Sequence, residues 1–166
     1  MNANSPSTHL RRCVQLAREA FEAGNPPFGS VLVSSDDRVL FEDRNRAADT
    51  GDPTRHPEFE IARWAATNLT ADERAAATVF TSGEHCPMCA AAHGWVGLGR
   101  IVYCSSSQQL RSWQSELGVP AGPVAALPIQ DLIPGTVVEG PVAEFAAEIR
   151  ELHKRYQSWL ASSNSP

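Results

Sequence analysis

The sequence has no apolar run near the roughly 18 residues that a membrane span needs, and its opening, MNANSPSTHLRRC, lacks the apolar stretch of a secretory leader. Those two absences predict a cytoplasmic protein without a membrane partner. Basic charge is in deficit: 14 Lys and Arg stand against 19 Asp and Glu, a formal charge of −5. Arg11, Arg12, Arg44, Arg46, Arg100 and Arg111 are scattered, whereas a surface that grips nucleic acid gathers its basic residues into a patch. A small-molecule substrate is therefore expected, and nucleic acid is not. Cysteine is scarce, with Cys13, Cys86, Cys89 and Cys104 alone. A reduced cytoplasmic chain of this size needs no disulfide, so the closely spaced Cys86 and Cys89 read as a metal or redox pair. No internal repeat or low-complexity segment occurs, and 166 residues suit one domain, 1–166.

Periodicity then orders the chain. Residues 8–23 carry Leu10, Val14, Leu16, Ala17, Ala20 and Phe21 at mostly helical spacing, with Ser7 or Thr8 as the expected N-cap and Gly24 as the stop. Two β-rich runs, 28–34 and 39–44, flank Ser35-Asp36-Asp37 and predict a hairpin, and 48–54 is expected to be a loop. A helix opens at Pro57, a short strand covers 78–81, residues 86–96 are helical, and 100–104 is another strand. A helix or turn follows near 107–117, then short apolar pieces at 124–127 and 136–138. The last helix, 141–160, carries Phe145, Ile149, Leu152, Tyr156 and Trp159 near one face. The order β-β-α-β-α-β predicts a mixed sheet covered by helices on both faces.

Two helix starts hold the residues with chemistry: His56-Pro57-Glu58 and Cys86-Pro87-Met88-Cys89. Residues three apart share a helix face, so both thiols can converge on one ion, and an adjacent helix start lets His56 complete a three-ligand set. Three protein ligands leave a fourth tetrahedral position open, as in catalytic zinc sites. Glu58, two positions beyond His56, can reach toward a reacting water without ligating and carry protons. The alternatives for Cys86 and Cys89 are a non-catalytic zinc site, a dithiol redox pair or buried thiols.

His56-x-Glu58 followed by Cys86-x-x-Cys89 resembles the H-x-E and P-C-x-x-C signature of the zinc nucleobase deaminases of the cytidine/deoxycytidylate deaminase superfamily. PPFGSVLV (26–33) resembles that family's first strand, in the form of its guanine deaminase branch rather than its tRNA adenosine deaminase branch. DRNRAADTGDPTRHPE (43–58) resembles the loop before the zinc helix, and the likeness extends from about residue 14 to 142. The resemblance implies a three-layer α/β/α fold with a mixed five-stranded sheet, a core over about 8–142, and one Zn2+ per chain held by His56, Cys86 and Cys89. It implies Glu58 as the proton shuttle and Asn45 as a contact to the substrate base or its sugar; Phe28 and Trp95 are aromatic candidates to sandwich a planar base, and Pro57 and His85 are the further candidates around the substrate. It also implies hydrolytic release of ammonia from a free nucleobase or related aminated heterocycle, guanine first, then cytosine analogues or aminotriazines, with a tRNA adenosine deaminase as the alternative. A homodimer is expected, in which helix 141–160 packs on the partner. Two departures stand out: Pro57 where the family has Ala, and His85 where it has Pro, which makes His85 a supporting group, a substrate contact or a fourth ligand.

Overall fold

The computed structural model describes residues 6–163. In chain order the elements are α1 (Pro6–Glu22), β1 (Gly29–Val33), β2 (Val39–Arg44), α2 (Ala47–Thr50), α3 (Pro57–Asn68), α4 (Ala71–Ala76), β3 (Thr78–Gly83), α5 (Pro87–Val96), β4 (Arg100–Ser105), α6 (Ser107–Glu116), α7 (Ile129–Leu132), β5 (Val138–Glu139) and α8 (Ala143–Ser163). None of the described helices is long and apolar enough to cross a membrane.

The strands form one sheet in the order β2-β1-β3-β4-β5. β1 pairs antiparallel with β2 and β3, while β3, β4 and β5 run parallel, so the expected mixed five-stranded sheet is present. Side chains alternate across a strand, and the alternation divides the core. Val31, Val33, Phe80, Val102 and Cys104 pack with Leu10, Cys13 and Leu16 of α1 and with Phe145, Ile149 and Leu152 of α8. On the opposite face, Leu32 and Val79 pack with Ile61, Ala62 and Ala65 of α3. There too, Ile101 and Tyr103 meet Ala90 of α5 and Ile129 of α7. Helices therefore cover both faces, in three layers. The central strands β3 and β4 are buried along almost their whole length, as strands covered on both sides must be.

At Gly29 a Cβ would lie 2.3 Å from Leu16 Cβ and 2.6 Å from the Cys13 carbonyl oxygen, so only glycine lets β1 sit this close to α1.

Several expectations are corrected. Ser7 and Thr8 lie inside α1 rather than capping it, because the helix already includes Pro6, a residue suited to a first helical turn. The stretch 48–54 is not all loop, since α2 adds a helical turn that ends on left-handed Gly51. α4 was not anticipated, although its capping box, Thr70 with Glu73, is a local signal. Phe145, Ile149 and Leu152 bury one face of α8 against its own chain.

Candidate metal centre and active site

α3 and α5 begin in the same way. His56 and Cys86 occupy the N-cap positions, each followed by proline in the first turn, and neither side chain caps its own helix. Both side chains are thus free to turn toward each other. Cys86 Sγ and Cys89 Sγ each lie 3.6 Å from His56 Nδ1 and 3.4 Å from one another. These three atoms form the cluster, among the described residues, that could hold a metal ion. In a tetrahedron with Zn–S near 2.3 Å and Zn–N near 2.0 Å, neighbouring ligand atoms stand about 3.5–3.8 Å apart. The donor set and its spacing therefore fit zinc.

The electrostatics favour a thiolate. The hydrogen bond from the Cys89 thiol, aided by His56, brings Cys86 down to about 4, and the same shared proton with burial holds Cys89 well up. The partnership with Cys86 raises His56.

Glu58, in the first turn of α3, is 5% exposed. The Thr81 hydroxyl donates to its Oε1 at 2.9 Å, and the Ser30 hydroxyl donates in turn to Thr81 at 2.8 Å. Glu58 Oε2 lies 3.9 Å from Cys89 Sγ, which places the second carboxyl oxygen beside the ligand cluster. Burial pushes the Glu58 carboxyl up, partly offset by the nearby His56.

A cavity of about 150 Å³ opens onto His56, Glu58 and Cys86. Phe28, Pro87, Leu110 and residues 124–126 supply an apolar lining, and Glu84, Ser107 and Arg111 the remaining polar side chains. Glu84 is a fastener: its Oε2 accepts from the Ser107 amide at 2.8 Å and its Oε1 from the Ile129 amide at 3.0 Å. One carboxylate thereby ties the starts of α6 and α7 to the segment before Cys86.

Of the residues expected around the substrate, Phe28 lines the cavity. Its ring meets His153 of α8 at 4.9 Å between centroids, and Gly83 leaves room for it, since a Cβ there would lie 3.0 Å from the ring. The other four stand outside the cavity lining. Asn45 is buried in the turn before α2, where its Oδ1 accepts from the Ala47 amide and its own amide donates to the Phe28 carbonyl, so it fixes the backbone that carries Phe28. Pro57 is buried in the first turn of α3. His85 is no fourth ligand and no cavity contact: it is 1% exposed and packs edge-on against His93 at 5.3 Å. Trp95 is 90% exposed, because it lies six residues beyond Cys89, roughly 120° around the helix from that buried face.

Thr81, Leu110, Arg111 and residues 124–126 were not anticipated. Thr81 shares the Val79 side of β3, a period-two signal that local reading can supply. The approach of α6 to the start of α5 has no local signal.

Comparison with known proteins agrees with this geometry. Residues 3–105 match the family model described as the cytidine and deoxycytidylate deaminase zinc-binding region. A probable cytosine deaminase of Schizosaccharomyces pombe is 31% identical over 102 residues, 61% of this chain and 61% of that protein. Guanine deaminase of Bacillus subtilis is 36% identical over 99 residues, 59% of this chain and 63% of that protein. The matched stretch thus spans about three fifths of either relative. The structure of guanine deaminase from Nitrosomonas europaea superposes with a TM-score of 0.71 at 18% identity, over 93% of this chain and 85% of that one, a likeness of fold. The matched region contains both helix starts that build the metal cluster, and the chain belongs to the cytidine and deoxycytidylate deaminase family.

Proposed function

We propose that the protein is a zinc-dependent hydrolytic deaminase of a free nucleobase or a related aminated heterocycle, with guanine as the first candidate. The observation that carries this reading is the Glu58 carboxyl, buried on a cavity wall beside the His56, Cys86 and Cys89 cluster. Zinc bound by those three residues would supply a Lewis acid, the chemistry that makes water acidic near neutral pH.

The protein's own residues do the rest. Thr81 holds Glu58 Oε1, which leaves Oε2 to take a proton from the water and deliver it to a ring nitrogen and then to the departing amine. Burial raises this carboxyl, so it holds a proton more readily than an exposed carboxyl does. The apolar walls, with Phe28, Pro87 and Leu110, take a flat ring and limit water. A C–O bond forms, the C–N bond breaks, and ammonia leaves. A cavity of about 150 Å³ matches the size that accommodates benzene in an engineered protein core, which suits a ring rather than a whole buried nucleotide.

Two features support guanine: the likeness to a guanine deaminase in the matched region and the Phe28 lining. We also read the exposed Trp95, on the largely apolar α5, as part of a homodimer contact. Sedimentation of the protein against Trp95→Glu tests that reading, a dimer that survives unchanged counting against it.

The deciding experiment is an ammonia-release screen of guanine, cytosine, adenine, aminotriazines and tRNA with the zinc-loaded protein and its Glu58→Gln variant. Release from free bases, lost in the variant with zinc retained, is expected. Deamination of tRNA with all free bases inert would sink the substrate assignment.

A further inference from the structure

The proposed chemistry accounts for Glu58 and the ligand cluster and leaves one charged cavity residue without a task. Arg111, on α6, lines the same cavity as Glu58. Most arginines of this protein are ion-paired, for example Arg12 with Glu19 and Glu42, Arg44 with Asp49, and Arg150 with Glu116. Arg111 has no carboxylate partner among the described residues. Its Nη1 donates to Gln114 Oε1 at 2.7 Å, which braces one side of the guanidinium. A guanidinium carries five N–H donors in a planar fork, so several remain for a ligand.

The carboxylate in the same lining does not answer this charge. Both oxygens of Glu84 accept backbone amides, from Ser107 and Ile129. Beyond the metal cluster and Glu58, the cavity therefore offers a ring an apolar lining, the single hydroxyl of Ser107 and, from Arg111, one braced planar cluster of donors. A substrate ring that presents only amino groups and hydrogens to such donors leaves them unpaired in a partly enclosed site, which costs affinity. A ring with a carbonyl oxygen there, particularly one close to an unprotonated ring nitrogen, fills them. Arginine reads that pair of acceptors bidentately, as it does the O6 and N7 atoms of guanine.

We infer that Arg111 is a specificity-determining residue that binds a carbonyl acceptor on the substrate ring while the amine-bearing carbon faces Glu58. The substrate class is then the oxo-amino heterocycles. Guanine and cytosine both carry a carbonyl two ring positions from the amine-bearing carbon, and adenine carries none. This inference deepens the deaminase reading and rests on it for the orientation of the ring.

Binding without turnover tests it. The probes are hypoxanthine against purine, and pyrimidin-2-one against pyrimidine, pairs that differ in one carbonyl and lack an exocyclic amine. Calorimetry with the zinc-loaded protein is expected to show tighter binding of at least one carbonyl member, by about 5- to 150-fold, the size of a bidentate arginine contact to a base. Preference in the first pair identifies a purine source of the carbonyl, and in the second a pyrimidine source.

Arg111→Met is expected to bring that preference close to one while zinc content stays at about one per chain. If that variant does not fold, Arg111→Lys, which keeps the charge and loses the fork, must still lower the preference. No carbonyl preference in the unsubstituted protein, or a preference intact in the folded variants, overturns the inference. An Arg111-dependent preference in a protein that releases no ammonia leaves the inference standing and defeats the deaminase reading alone. Ammonia release without any such preference does the reverse.

Discussion

His56 Nδ1 lies 3.6 Å from Cys86 Sγ, and the two residues hold equivalent positions, each the N-cap of a helix whose first turn starts with proline. The contact joins α3 to α5 across 30 residues of sequence. A zinc ion at this junction fastens two helices whose packed faces lie on the same side of the sheet.

Removing a ligand should therefore cost both metal and stability. Cys86→Ser, Cys89→Ser and His56→Ala are each expected to reduce zinc from about one per chain to a small fraction, measured by elemental analysis. Chelation of the unsubstituted protein should lower its unfolding free energy by about 4 kcal/mol, the value for a ligand held a thousandfold above its dissociation constant. A full zinc complement in any of these variants would remove that residue from the ligand set.

Thr81→Val keeps the shape of the side chain and removes the hydroxyl that donates to Glu58 Oε1. Zinc should remain, the Glu58 carboxyl should shift further up because that bond holds it down, and ammonia release should fall about tenfold, the scale of 1.4 kcal/mol. Stopped-time ammonia assays across pH read the change, and an unchanged rate and profile would show that Thr81 does not orient the carboxyl.

Glu84→Ala frees the Ser107 and Ile129 amides from their shared acceptor. The expected loss is about 1–3 kcal/mol, or about 2–4 °C of melting temperature for each kcal/mol in a chain of this size. Because α6 carries Arg111 into the cavity, KM should rise more than kcat falls. A variant with unaltered melting and KM would mean that the two helix starts are held by other contacts.

His153 of α8 is buried beside Phe28 and Trp113, and burial holds its imidazole down at about 4. The unfolded chain, with a histidine near 6.5, takes up the proton first. Stability is therefore retained above pH 6.5 and lost as pH falls from there toward 4, by about 2 kcal/mol between pH 7.5 and 5. In denaturant titrations, His153→Phe should narrow the difference between those two pH values by about that amount. Equal pH dependence in both proteins would mean that His153 is already protonated in the folded chain.

Much of this protein was legible locally. The two helix starts at His56 and Cys86, the proline after each, and the three-residue step to Cys89 mark the metal donors by local pattern alone. The order β-β-α-β-α-β and the apolar stripe of α8 indicated the layers. Side chains at the right sequence distance were less reliable guides to the cavity. Phe28 reached it, whereas Asn45 turned to its own backbone, His85 to His93, and Trp95 to solvent.

The sequence by itself determined the donor chemistry and the sheet, because helix starts, proline positions and β-rich runs are set over a few residues. Tertiary packing decided which groups share the cavity. Arg111 comes to it because α6 is pinned through Glu84, and Glu58 is oriented because β3 brings Thr81 beneath the start of α3. Both contacts join residues 23 positions apart, a separation beyond the reach of any local pattern.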